Sequence, residues 1–417
     1  MGVFMPMHEQ YSRTCDPTRT QWGRVFMLVG AGIIAAFPVG KVPPVLPILR
    51  ADLGLSLVAA GWILSSLNIL GGIAGSATGA MADWLGHRRF IFFGLTAQAV
   101  GSLLGSLAQG FWLLLSTRLL EGMGYLIVAV SVPTLLIRSC RSENRNVVFG
   151  IWSSFMPIGT STTMMLTPIL VNLFGWRGLW QINTAIVITF GLCLLLAARN
   201  LFDPLVKKPG PASTLFQDIR LTMSSAGPVL LALCFSTYAF HFIIVIGFLP
   251  TLLIENDLLS QGLAAVLTAG VVAINVVGNL SGGWLLNRGL KRWYLIAVAG
   301  AAIGLCSIMI YSPVAPLLVR YLFCLLWCAA GGLIPVSTLS GVLLHAPKPD
   351  LVGTTNGLIL QGSNIGLVIG SPAIAVVVTI TGGWHSAPWL LVTSAAILVM
   401  LSLGVRKKEL KYSINTR

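Results

Sequence analysis

The chain has 417 residues, of which 56% are hydrophobic and only 9% charged, with a formal net charge of +14. A water-soluble domain of this size could not cover its surface with so few polar groups, so the composition points to an all-α integral membrane protein. The basic residues are scattered in small clusters between apolar runs, which excludes a nucleic-acid-binding face and suits topology signals.

Residues 1–24 are expected to form an N-terminal tail. They include His8, Glu9, Arg13, Asp16, Arg19 and Arg24 and show no apolar core followed by a small-residue cleavage site, so no cleaved signal peptide is expected. Apolar runs long enough to span a bilayer follow at roughly 25–49, 57–82, 90–109, 111–137, 147–174 and 179–198. These define a first six-helix bundle over 25–198. A polar loop over 199–225, containing Lys207-Lys208-Pro209-Gly210-Pro211, separates it from a second bundle over 226–404. That bundle has runs near 226–254, 262–286, 293–311, 314–344, 351–380 and 386–404, and a tail over 405–417 closes the chain.

A lysine breaks the first run, in Phe37-Pro38-Val39-Gly40-Lys41-Val42-Pro43-Pro44-Val45-Leu46-Pro47. A charge so deep is costly and is usually kept for a cavity or a partner, although a lysine stem can also carry its ammonium to an interface. In the fourth run, Arg118 and Glu121 stand three apart on one helix face, close enough to pair. Two readings of them stay open: a self-neutralising ion pair, or a Glu121 that exchanges protons while Arg118 tunes it.

By helical rise, Lys41 lies about 12 Å and Arg118 about 10 Å below the same membrane surface. One cavity could therefore hold both. Arg320, the second-half mate of Arg118, would approach from the other side and make a cationic pocket suited to a carboxylate, an inorganic anion or a carbonyl-rich molecule.

His241, mid-membrane in the seventh run, is either a hydrogen-bonded structural group or a proton carrier. Asn275 with Asn279 in the eighth run, and Gln361 with Asn364 in the eleventh, form polar pairs at helical spacing that either line the solute path or tie neighbouring helices. Trp152, Trp180 and Trp327 could stack on a planar solute or simply pack. The seven cysteines fall mostly within apolar runs, so neither disulfides nor a metal site is expected. Cys324 and Cys328 share a helix face but lack His or carboxylate company.

Most Lys and Arg residues fall in the loops on the side of the two termini, while the opposite loops hold only Arg50 and Arg177. Both termini are therefore expected in the cytoplasm. The halves also repeat: Arg118 and Pro133 recur as Arg320 and Pro335, Gly150 and Gly159 as Gly357 and Gly366, and Gly175-Trp176-Arg177 as Gly383-Trp384-His385. Duplicated halves of this kind place a solute site between them.

The loop Gly79-Ala80-Met81-Ala82-Asp83-Trp84-Leu85-Gly86-His87-Arg88-Arg89 resembles the G-x-L-a-D-r-x-G-r-k signature of the major facilitator superfamily, departing from it at Met81 and Trp84. Gly283 to Arg292 is a degenerate second copy with Asn287 in the aspartate's place. Arg118-Leu119-Leu120-Glu121-Gly122-Met123-Gly124 resembles the family's R-x-x-q-G-x-g, with Glu121 where Gln is common, and Pro44-Val45-Leu46-Pro47 resembles its P-v-x-P. The fifth run lacks the antiporter signature G-x-x-x-G-P-x-x-G-G. With Gly175-Trp176-Arg177 and Lys41, the chain is similar to bacterial small-solute carriers of the cyanate-transporter-like group.

The resemblance implies two pseudo-symmetric six-helix bundles around a central cavity, working by alternating access. It also implies a cytoplasmic latch made by Gly79, Asp83, Gly86 and Arg88. Asp83 would accept hydrogen bonds from a helix N-terminus or pair with a guanidinium, and Arg138 is the candidate partner.

No H-E-x-x-H, no G-x-S-x-G and no aspartate within a span is present, so an intramembrane enzyme is not expected, and no cofactor is implied. The chain reads as an inner-membrane secondary transporter, expected to act as a monomer and to import a small polar or anionic solute. Lys41, Arg118, Arg320, Asn275, Gln361 and Asn364 would bind the solute, with Glu121 and His241 as proton sites. Efflux of organic compounds is the alternative, and uptake of a neutral planar vitamin such as riboflavin a further one.

Overall fold

A computed structural model describes residues 19–201, 214–255, 259–381 and 383–414. Most of the expected N-terminal tail, the Lys207-Lys208 segment of the central loop and the last three residues lie outside these. Among the described residues every regular element is a helix. The first half comprises α1 (Trp22–Leu53), α2 (Leu57–Leu85), α3 (His87–Ser106), α4 (Phe111–Ser139), α5 (Arg145–Ser153) and α6 (Phe155–Leu201). A short α7 (Thr214–Ser224) precedes the second half. That half comprises α8 (Ala226–Glu255), α9 (Gln261–Asn287), α10 (Arg292–Ile310), α11 (Leu317–Gly331), α12 (Leu333–Ser340), α13 (Val342–His345), α14 (Val352–Thr381) and α15 (Ala387–Ile414).

The local sequence explains the breaks. Gly54 closes α1 in the left-handed region at φ 60°, donating its N–H to the Arg50 carbonyl, and Ser56 caps α2 by accepting the Ala59 N–H. Gly86, at φ 91°, makes the turn from α2 to α3. Within α6, Gly175 at φ 67° and ψ 174° breaks the helix in two. Four prolines lie inside α1, at 38, 43, 44 and 47. Each removes a backbone donor, which a membrane bundle tolerates because neighbouring helices supply other partners.

Among the described residues, ten stretches are long and apolar enough to cross a membrane. One of them, Ser142–Ala197, runs to 56 residues, far beyond the ~20 that a bilayer requires, and contains the Gly175 break, so it makes two passes. The remaining pass is α3, whose apolar character is diluted by the basic first turn, Gln98 and Ser102. The tenth expected run is built from three consecutive pieces, α11 to α13. The central loop, expected to be polar and irregular, contains the helix α7.

In the first half α1 packs on α6, and α4 packs on α2 and α3; in the second, α8 packs on α14, and α10 on α11 and α15. The two six-helix bundles meet along two seams, α2 with α14 and α5 with α9. Large apolar side chains such as Ile73, Trp112, Leu196, Ile380 and Trp389 point outward, as lipid-facing surfaces require.

Candidate functional site

Lys41 is completely buried in the proline-rich half of α1. Its ammonium forms an ion pair with Glu121 of α4, bonds Ser102 Oγ of α3 at 3.1 Å and lies 4.2 Å from the centre of the Trp180 ring of α6. Arg118 holds the other Glu121 oxygen at 2.6 Å. Relative exposures of 0%, 1% and 0% for Lys41, Arg118 and Glu121 mean that the protein encloses all three charges. Such charges persist only when each is paired, and here two cations share one carboxylate, leaving one net positive charge.

Small residues make the cluster. A Cβ on Gly101 would sit 3.0 Å from Glu121 Cγ, and one on Gly105 would sit 2.6 Å from the Trp180 ring. Gly40 lies against the backbone of Thr160, so α1 approaches α6 at backbone distance. Ser102 is the hub: its hydroxyl accepts from Lys41 and from Asn183 Nδ2 at 2.9 Å, and donates to the Trp180 carbonyl at 3.0 Å. Three buried polar atoms on residues of this neighbourhood have no partner among the described residues: Arg118 Nε, Trp180 Nε1, on the edge of the ring that packs on Gly105, and Asn183 Oδ1. Ser102 and Asn183 were not singled out from sequence. The available signal was Gln98 with Ser102 at i, i+4 on an apolar helix; Gln98 Nε2 bonds the Ala35 carbonyl of α1 at 2.9 Å.

Arg320 does not join this cluster, which corrects the expected three-cation pocket. It lies in the first turn of α11, donates Nε–H to the Ala315 carbonyl at 3.1 Å and lines a small apolar cleft with Leu249, Ile310, Tyr321 and Cys324. The carboxylate that draws Lys41 and Arg118 inward has no counterpart at its symmetry-related position, where Phe323 stands.

The neutral candidates tie helices together. Asn275 Nδ2 bonds Tyr238 Oη at 3.0 Å and the Cys328 carbonyl at 2.8 Å, and Asn279 bonds back to Asn275. Gln361 bonds the Gly72 and Ile73 carbonyls across the α2–α14 seam and accepts the Ser76 N–H, while Asn364 bonds its own helix at Leu360 and packs on Gly71. His241 is fully buried, with Nε2 2.6 Å from Ser394 Oγ.

The α2–α14 seam is lined by glycine. A Cβ on Gly75 would meet the Gly357 carbonyl at 2.6 Å, and one on Gly79 would collide with the Gly353 carbonyl. At its end Asp83 Oδ1 accepts the Gly353 N–H at 3.0 Å, and Oδ2 accepts the N–H and hydroxyl of Thr354, each at 2.7 Å. Asp83 therefore caps the first turn of α14 from the other half, with His87 Nε2 3.1 Å away. Arg138, the expected guanidinium partner, is exposed at the end of α4 and makes no bond to Asp83. The helix N-terminus supplies the donors instead. Gly86 forms the turn behind Asp83, and Arg88 is half-buried in the next helix. The α5–α9 seam repeats the arrangement, with Gly150 against Gly283 and the Asn279 carbonyl.

On the face opposite the termini, Asp52 accepts from Trp176 Nε1 at 3.0 Å and Arg177 at 2.8 Å, and Arg177 also bonds the Ala108 carbonyl at 3.2 Å. This clip joins the end of α1, the α3–α4 turn and the Gly175 break.

The profile of the Major Facilitator Superfamily matches residues 28–371. The sialic acid transporter NanX of Escherichia coli (strain K12) is 24% identical over 369 residues, covering 87% of each chain. The multidrug resistance protein Stp of Mycobacterium tuberculosis is 28% identical over 145 residues, 33% of this chain and 27% of that one. The cephamycin export protein CmcT of Amycolatopsis lactamdurans is 28% identical over 190 residues, 45% of this chain and 38% of that one. Among solved structures, the proton:xylose symporter XylE superposes with a TM-score of 0.72 at 16% identity, covering 93% of this chain and 95% of that one. The fucose:proton symporter FucP of E. coli gives 0.71 at 17%, covering 93% and 99%.

Proposed function

This chain belongs to the Major Facilitator Superfamily, and on that premise we propose that it imports a small anionic solute by alternating access, with the Lys41–Arg118–Glu121 cluster as the anion-handling site. Transporters, not enzymes, make up this family. The observation that carries the anion reading is the convergence of two buried cations on one carboxylate: the site already holds an oxyanion, in a setting where bidentate and charge-assisted bonds are strong. The similarity to NanX, a sialic acid transporter, supports the same class.

In this reading the protein lies in the inner membrane with both termini cytoplasmic, because the basic loops collect on that side. The two glycine seams and the Asp83 cap then close the cytoplasmic side. Rocking of the two bundles would part them and carry the solute through.

Uptake into proteoliposomes tests the proposal. Lys41→Ala is expected to abolish uptake of anionic solutes while protein abundance stays normal, since Arg118 still neutralises Glu121. Normal flux in that variant defeats the reading. Efflux is the second reading, supported by the matches to the multidrug and cephamycin export proteins. Stabilisation of the purified protein by lipophilic cations, with none by anions, would favour it.

A further inference from the structure

We infer that Asn356 of α14 stands in for the backbone donor that Pro133 removes from α4, so that the closed seam is held by a main-chain bond the first bundle cannot make for itself. The inference rests on the alternating-access part of the reading above and is independent of the solute's charge.

In an α-helix the N–H of residue i bonds the carbonyl of residue i−4, so the Ala129 carbonyl awaits the N–H of residue 133. That residue is Pro133, inside α4, and it has no N–H to give. Asn356 Nδ2, from the other bundle, donates to the Ala129 carbonyl at 3.1 Å and to the Val130 carbonyl at 3.2 Å. Both partners are acceptors, which fixes the nitrogen of the amide toward α4. Ala129, Val130, Pro133 and Asn356 are all buried, so removing the amide would leave the Ala129 carbonyl as a buried acceptor short of a bond, which is costly. Asn356 Oδ1 has no partner among the described residues. The amide is therefore kept at full burial for what it donates. Gly357, next to it, lies on the main chain of Gly75 and Gly79, so α14 sits deep enough for a short side chain to reach a backbone.

A helix with all its own bonds would be indifferent to its neighbour here; the proline makes α4 sensitive to the other bundle. When the bundles part on this side, the amide withdraws and water entering the gap takes the Ala129 carbonyl. The same acceptor is thus satisfied in both states by different donors, which lets the seam open without a lasting loss. A second amide provides the contrast. Gln361, also on α14, donates to the Gly72 and Ile73 carbonyls and accepts the Ser76 N–H. All three are on α2, which contains no proline, so what Gln361 contributes does not depend on residue 133.

The experiment uses the full chain in lipid nanodiscs, freed of native cysteines and spin-labelled through Arg89→Cys and Lys348→Cys, both exposed positions. Closed and open populations are read from the distance distribution between the labels. Asn356→Leu is expected to lower the closed-to-open ratio about tenfold in the native background and less than about twofold in a Pro133→Ala background, where residue 133 regains its N–H. Gln361→Leu is the control, expected to lower the ratio equally in both backgrounds. Asn356→Ala repeats the comparison with a smaller side chain, so that a leucine too large for the seam does not decide the outcome. Equal effects of the Asn356 substitutions in both backgrounds overturn the inference and leave alternating access standing, as does rescue of Gln361→Leu by Pro133→Ala. One unvarying distance in every variant overturns both.

Discussion

One histidine and one glutamate, both buried and ionisable, serve different ends. Glu121 is held by two buried cations, Lys41 and Arg118, each on one of its oxygens. His241 has one neutral partner, Ser394, in a fully buried pocket. It is expected to hold α8 to α15: His241→Ala should lower stability by about 1–3 kcal/mol through the hydroxyl it leaves behind, and leave the pH dependence of transport unchanged. A thermal unfolding curve and a pH profile of uptake check the two halves of that statement. Lys41, Arg118 and Glu121 were legible in the sequence because charge inside an apolar run stands out. Ser102 and Asn183 were not, because hydroxyl and amide side chains are ordinary in membrane helices and only the fold shows which one is a hub. Arg320 failed for a related reason: internal repetition gives its position on the helix but not the partner toward which it turns.

At the scale of elements, the seams decide which conformation is held. Asp83 links halves whose contacting residues are some 270 positions apart, a pairing that no local pattern reveals; the motif identified the residue, and the fold supplied α14 in place of Arg138. Asp83→Asn keeps an oxygen for one bond but removes the negative charge at a helix N-terminus, a loss of about 1.5–3 kcal/mol from the closed state. Turnover is expected to fall about tenfold with solute affinity little changed, and unchanged turnover would remove Asp83 from the cycle. Gly75→Ala puts a methyl 2.6 Å from the Gly357 carbonyl, so α2 and α14 must separate. Spin labels at the exposed Arg89 and Lys348 should then report longer distances between the halves. The helices themselves, and the break at Gly175 between the fifth and sixth runs, were readable from apolar run length, whereas the three-piece tenth run and α7 were not, because each depends on local backbone torsions or on packing against another element.

For the whole molecule, the asymmetry between the bundles is the main feature. The first holds the fully buried Lys41–Arg118–Glu121 cluster; in the second, the corresponding interior is neutral, built from Tyr238, Asn275, Asn279 and Trp327. A solute with a charged end and a neutral polar body would meet a bundle suited to each. The orientation of the whole chain is open to direct measurement. In a protein freed of native cysteines, Gln109→Cys should react with a membrane-impermeant reagent added to intact cells, and Gln217→Cys should be protected; the reverse pattern would invert the topology. The glycine seams carry one more consequence, for how such a protein can change over generations. Seam glycines touch the opposite bundle and not the buried charges, so a methyl gained or lost there alters how readily the halves part and leaves solute discrimination alone. Speed and selectivity can thus be inherited and adjusted separately.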